Sequence, residues 1–306
     1  MKANISYRRL RALVQQAVPR PRRGRERHSD ADVIVAYLWA QLHTQPTYWA
    51  SRRAAYPPGC RLTPPSAATL SRRLGRVPVI ELLSRVRRTM ADAVPACPLK
   101  LMDSRPLVVG NASNDRNARR GHGAGGRARG YKLCVLTSAG LVREWSLAGM
   151  NANDQTLGLT LLPSLPGVSS HGWGYLATDN GFDGNPLHVA TAGEGHVLVT
   201  PPRRSNRGVR DARRNSPQRI RALDLSDSPL RHAGITNTMG DAVMAARGAV
   251  EHTLGHAALL GLGPLPPWVR TPRRVARHVE AMLIFHTYRV LELRQQRLTK
   301  THRLSP

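Results

Sequence analysis

The chain has 306 residues, 41% of them apolar, and carries 46 Lys and Arg against 19 Asp and Glu for a formal net charge of +27. That length holds one large domain or two ordinary ones with a real core, and so strong a positive charge points to a polyanionic partner. No stretch approaches the roughly 18 to 20 consecutive apolar residues of a bilayer-spanning helix, which argues against a membrane role. Cys60, Cys97 and Cys134 are isolated and odd in number, so neither a Cys-x-x-Cys zinc site nor a disulfide framework is expected, and a reducing cytoplasm is the default. A GC-rich genome would account for the abundance of Arg, Ala, Gly and Pro, but not for the shortage of Asp and Glu.

Residues 1 to 18 read as a helix, with Ile5, Leu10, Leu13, Val14 and Val18 near helical spacing. Pro19 to His28 is a basic breaker. Ser29-Asp30-Ala31-Asp32 opens the next helix, whose apolar face carries Val33, Ile34, Tyr37, Leu38 and Leu42. Further helices begin near Ser66 and run from about Val79 to Val94, so residues 1 to 95 form a helical region. After Pro95, Leu99 to Met102 is a short strand, which Leu107 to Val109 extends or follows. Residues 110 to 130, rich in Gly, Asn and Arg, read as an exposed loop. Tyr131 to Thr137 and Leu141 to Leu147 flank Ser138-Ala139-Gly140 as a hairpin. A helix over Asn151 to Leu165, a strand over Tyr175 to Thr178, a short helix over Pro186 to Ala192 and a strand over His196 to Thr200 follow. Residues 203 to 231 form a basic insertion before a helix over about 238 to 260, a Pro-rich break and a last helix from Arg273 to Arg297. From residue 98 this order matches the ribonuclease H-like fold. The expected fold class is α/β, a mixed sheet flanked by helices over 96–297, with a helical DNA-binding region before it and a basic tail at 298–306.

Three carboxylates stand out in that frame. Asp103 and Asp179 each close a short apolar run, and Glu251 lies on a later helix, four residues after Arg247. Phosphoryl transfer through two metal ions needs anionic oxygens converging on cations about 3.5 to 4 Å apart, and carboxylates suit hard ions such as Mg²⁺ and Mn²⁺. Arg247 shares a helix face with Glu251 and is placed to orient it or to hold a phosphate. Each residue alone has a plainer reading: a surface ion pair, a strand-end turn, an Asx turn before Asn180-Gly181.

The ordered blocks resemble the DDE transposases of bacterial insertion sequences, in the insertion sequence four and five group. Met102-Asp103-Ser104-Arg105-Pro106-Leu107 resembles the first catalytic block, and Gly130-Tyr131-Lys132-Leu133 the segment on the second strand. Ala177-Thr178-Asp179-Asn180-Gly181-Phe182-Asp183 is similar to the second block. Val199-Thr200-Pro201-Pro202-Arg203 is similar to the strand before the insertion, and the run from Arg247 to His256 to the third block. Met244 and Ala258 stand where many relatives carry Tyr and Lys. The resemblance implies a ribonuclease H-like core, Mg²⁺ dependence with Mn²⁺ able to substitute, and cleavage of transposon ends with strand transfer into target DNA. It implies Asp103, Asp179 and Glu251 as metal ligands and Arg247 as the phosphate-facing helper. Double-stranded DNA is the implied partner, with homo-oligomers assembling on it, in a bacterial cytoplasm at the nucleoid. A nuclease that cuts without joining, and a non-catalytic DNA-binding descendant, are the alternatives.

Two basic runs supply candidate DNA contacts by phosphate tracking: residues 111 to 132, with Arg116, Arg119, Arg120, Arg127, Arg129 and Lys132, and residues 203 to 221, with Arg203, Arg204, Arg207, Arg210, Arg213, Arg214, Arg219 and Arg221. Arg72 and Arg73, on a helix that resembles a helix-turn-helix recognition element, join them. Against these stands the plainer reading of a solvated basic face. His252 and His256 lack the full His-Glu-x-x-His pattern of a zinc helix, and Gly121 to Gly126 is followed by no Gly-Lys-Ser/Thr.

Overall fold

Helix starts in this chain are set by short polar caps. Ser6, Ser29, Ser66, Asn153 and Ser216 each accept a backbone N–H two or three residues on, and Ser29 forms a reciprocal capping box with Asp32. The computed structural model describes residues 5–18, 27–60, 63–110, 113–123, 125–165, 174–203, 208, 210–232 and 235–304. In chain order the elements are α1 (Tyr7–Ala17), α2 (Asp30–Leu42), α3 (Ala67–Leu74), α4 (Val77–Ala91), β1 (Leu99–Val108), β2 (Arg119–Gly123), β3 (Gly126–Ser138) and β4 (Leu141–Gly149). Then follow α5 (Asp154–Leu161), β5 (Gly174–Ala177), α6 (Asn185–Gly193), β6 (His196–Val199), α7 (Pro217–Ser226), β7 (Pro229–His232), β8 (Ile235–Thr238), α8 (Met239–Ala257) and α9 (Pro272–Leu304). None of the described helices is long and apolar enough to cross a membrane.

The chain divides into two compact units, one of residues 1–93, 112–117 and 256–306 and the other of residues 94–111 and 118–255. The first border falls near the expected 95/96. The last helix, expected in the α/β part, instead belongs to the helical unit, because α9 packs along α4 and α2. A buried ion pair fixes that contact. Arg87 Nε donates to Glu280 Oε2 at 2.9 Å and Ser84 Oγ to Glu280 Oε1 at 2.6 Å, with both charged side chains at most 1% exposed. Trp39 lies in the same core, in edge-to-face contact with Tyr7, its indole N–H donating to the Ala55 carbonyl at 2.8 Å. The expected tail at 298–306 is largely the last turns of α9.

The second unit is built on a six-stranded mixed sheet in the order β2–β3–β1–β5–β6, with β4 also on β3. The β1–β3, β2–β3 and β3–β4 pairs are antiparallel, and β1–β5 and β5–β6 parallel. Met102, Cys134, Leu136, Leu176 and Leu198 on one face of the sheet pack with Leu157, Leu161, Phe182 and Leu187. The two strand pieces expected around residues 99 to 109 are one strand of 10 residues. Pro106 is tolerated there because β5 pairs only with Leu99 to Leu101, leaving the other side of Pro106 without a ladder partner.

Residues 110 to 130 correct the loop expectation: Arg119–Gly123 pairs with Gly126–Gly130 as a hairpin. Its glycines permit close approach rather than disorder. A Cβ on Gly121 would stand 2.5 Å from the Met150 carbonyl oxygen, and one on Gly130 2.1 Å from that of Leu107. The basic insertion likewise carries regular structure, α7 and β7.

Removing the Glu280 carboxylate takes the neutralising charge from the buried Arg87 guanidinium. Glu280→Ala is therefore expected to cost about 3–5 kcal/mol. Urea unfolding measures it, and a loss below about 1 kcal/mol would mean the pair is dispensable.

Candidate active site

Strand register brings the first two carboxylates together. Leu99, Lys100 and Leu101 pair in parallel with Tyr175, Leu176 and Ala177, so the same offset carried two residues on sets Asp103 beside Asp179. Neighbouring strands lie about 4.8 Å apart. Each carboxylate is held by its own backbone. Asp103 Oδ1 accepts the Ser104 N–H at 2.8 Å, and Asp179 Oδ1 accepts the Gly181 N–H at 2.9 Å as the cap of a 3-10 turn over Asn180–Phe182. Thr200 Oγ1 ties the Asp179 carbonyl to the end of β6 at 2.6 Å.

Glu251 lies on α8, 58% exposed, and its Oε1 meets Arg247 Nη2 at 3.1 Å. Val250 and Leu254 on the same helix are buried, and Arg105 Nη1 on β1 donates to the Leu254 carbonyl at 3.2 Å. The electrostatics join all four groups. Burial, together with the charges of Asp179 and Glu251, pushes the Asp103 carboxyl up to about 6, against the Ser104 N–H and the Arg247 guanidinium, which lower it. Among the described residues no trio of His, Cys, Asp or Glu is close enough, as the side chains stand, to hold a metal ion. Asp103 and Asp179 fit a hard cation in chemistry and in their uncompensated charge. Glu251 is turned to Arg247.

A fourth carboxylate lies beside them. Asp154 Oδ1 accepts Ser104 Oγ at 2.6 Å and the Lys132 ammonium at 3.2 Å. A Cβ built on Gly181 would lie 3.2 Å from Asp154 Oδ2 and 2.9 Å from Asp179 Oδ1. Burial raises the Cys134 thiol pKa, and the charges of Asp154, Asp103 and Asp179 raise it further. In sequence Asp154 reads only as an acid in the first turn of a helix; Ser104, which bridges it to Asp103, is the one local signal.

The candidate DNA contacts divide sharply. Arg72, Arg213 and Arg214 are exposed, Arg214 lying 3.6 Å from Asp211. Arg73 is buried on Asp30 at 2.5 Å and on the His28 carbonyl. Arg203 donates to the Asn180 and Gly181 carbonyls, so it braces the turn that carries Asp179. Arg210 is engaged by Asp224 and Asp227, and Lys132 by Asp154. Arg204 and Arg207 lie outside the described residues. The aspartate that ends the second block, Asp183, is internal. It takes Arg219 Nη2 at 2.6 Å and the Arg203 N–H at 3.1 Å, with His188 at 3.5 Å. These partners hold its carboxyl below the usual range although burial opposes them.

No family model matches the chain, and neither does any curated protein sequence. Among solved structures it is similar to a piggyBac transposase in a synaptic complex with hairpin DNA, at 13% identity and a TM-score of 0.50, over 91% of this chain and 70% of that one. At that identity the likeness is one of fold alone.

A pH test follows from Asp103. Its folded pKa of about 6 lies above the unfolded value of about 3.9. The native state therefore keeps its proton longer, and stability falls as pH rises through that window and stays low above it. Asp103→Asn is expected to raise Tm at about pH 8 and to leave it nearly unchanged near pH 4. Melts at the two pH values check this, and a variant that melts lower than wild type at both would contradict the uncompensated-charge account.

Proposed function

We propose that this chain is a DDE-type DNA transposase whose second unit is a ribonuclease H-like catalytic domain. The observation that carries the reading is that Asp103 on β1 feels the charges of Asp179, two residues past the end of the parallel strand β5, and of Arg247 and Glu251 on α8. The strand order supports the fold assignment: four strands joined by antiparallel pairs, then two added in parallel, with a helix carrying the third acid after a basic insertion. The piggyBac neighbour, solved with hairpin DNA in a synaptic complex, supports DNA as partner and assembly on DNA ends. The net charge of +27 fits the same partner. A place at the nucleoid in the cytoplasm and kinship with the insertion sequence four and five group belong to the same proposal.

In this reading Asp103 and Asp179 would hold divalent cations, and Glu251 would join them once free of Arg247. Mg²⁺, with Mn²⁺ as substitute, supplies activation of the attacking oxygen and neutralisation of the charge that develops on the phosphate. Released from Glu251, Arg247 would grip both non-bridging phosphate oxygens, the bidentate role its guanidinium suits. Asp154 holds Lys132 at the edge of the site, and Ser104 keeps Asp154 and Asp103 in fixed relation. Water attacks first at the element end, and the freed 3′-hydroxyl then attacks target DNA. A second reading, a DNA-binding relative that no longer cuts, is favoured by one observation, the Arg247–Glu251 pair at 3.1 Å.

Glu251→Gln keeps size but loses the anionic oxygen. It is expected to lower Mg²⁺- or Mn²⁺-dependent strand cleavage at least ~100-fold while DNA affinity stays within about twofold, since affinity rests on Arg–phosphate contacts. Cleavage and binding assays on end-bearing DNA check both. A wild-type protein that binds but never cuts supports the second reading, and cutting that persists in Glu251→Gln removes Glu251 from the site.

A further inference from the structure

Parity along the paired strands extends the Asp103 face of the sheet into the unexpected hairpin. Residues directly opposite in an antiparallel ladder share a face, and every second residue repeats it. Asp103 stands opposite Val135, Arg105 opposite Leu133 and Leu107 opposite Tyr131. The same face therefore continues along β3 to Arg129 and Arg127, and across to β2, where Arg120 faces Arg129 and His122 faces Arg127. Four basic residues thus occupy one face as two cross-strand pairs. Arg120, His122 and Arg127 are exposed, and no carboxylate lies within ion-pairing distance of Arg120 or Arg127 among the described residues. The hairpin borders a cleft of about 720 Å³ with no acidic side chain in its lining.

Like charges directly opposite on a ladder destabilise it. A hairpin that keeps them, and keeps glycines so that the chain can pack tightly beneath them, is built to meet an anion. The spacing identifies its kind. At about 3.3 Å per residue, Arg129 lies ~20 Å and Arg127 ~26 Å along the strand from the level of Asp103. At 3.4 Å per base pair those lengths are about six and eight base pairs of duplex. An isolated phosphate or a nucleotide would not span both the acids and the hairpin.

We propose that this face of the β2–β3 hairpin is a track for the phosphate backbone of duplex DNA, gripping it some six to eight base pairs from the scissile phosphate. The proposal rests on the reading of Asp103 and Asp179 as the cutting site, and it adds the surface that aligns the duplex with them.

The test uses the full chain and a labelled duplex of arbitrary sequence, about 30 base pairs long, titrated by fluorescence anisotropy over roughly 50 to 300 mM KCl. The variants are Arg120→Gln with Arg127→Gln, and the charge-keeping Arg120→Lys with Arg127→Lys. Each lost phosphate contact removes about 0.9 from the slope of log affinity against log salt, so the Gln pair is expected to flatten it by about 1.8, a roughly 30-fold weakening at 0.15 M salt. The Lys pair is expected to retain the slope. With its like charges removed, the Gln pair should melt no lower than wild type, which shows that it is folded. Wild type that binds DNA with a slope the Gln pair leaves unchanged overturns the hairpin track and leaves the catalytic reading standing. Equal loss in the Gln and Lys pairs overturns it too, because the effect is then not charge. Wild type that fails to bind duplex DNA, or prefers RNA of the same length, overturns both readings.

Discussion

Like charges held side by side are the constraint on which the rest of the α/β unit depends. Nothing in the chemistry of a polypeptide draws Asp103 to Asp179; the parallel pairing of β1 with β5 just before them brings the two chain segments together, and burial, joined by the Asp179 charge, raises the Asp103 carboxyl. Much of the surrounding architecture serves that placement. Ser104 and Gly181 supply the N–H donors that keep each carboxylate oriented, and Arg203 braces the turn at Asn180–Gly181. Asp183, itself pinned by Arg219 and the Arg203 backbone, ties the insertion to the same turn.

The basic residues serve two purposes that composition alone does not separate. Some are internal: Arg73, Arg87 and Arg219 each turn a guanidinium to a carboxylate, and half-buried Arg203 donates to backbone carbonyls. Others remain on the surface, and the hairpin arginines belong to that group. The net charge of +27 is therefore an upper bound on what a polyanion meets, and position on the fold decides which cations count.

What sequence reading reached, and what it missed, follows from the range of the interactions. The helix starts at Ser29 and Ser66 are set within a turn and are legible, as is the β3–β4 hairpin, whose turn places Ala139 and Gly140 at positive φ. The β2–β3 hairpin was hidden because Gly and Arg lack strand propensity, and its formation depends on close approach to Leu107 and Met150. Arg73 looked like a recognition-helix cation because its partner, Asp30, is far away in sequence. The first two acids stood out as endings of apolar runs. Asp154 did not, because what places it at the site is Ser104 and Lys132 on two other strands.

Locating a bound Mn²⁺ ion tests the central claim most directly. Anomalous scattering from a crystal of the protein grown with MnCl₂ would do so independently of any cleavage assay. The account predicts a manganese peak between the carboxylates of Asp103 and Asp179, with Glu251 turned from Arg247 toward it. A crystal in which those two carboxylates bind no ion, while manganese is found elsewhere on the chain, would contradict it.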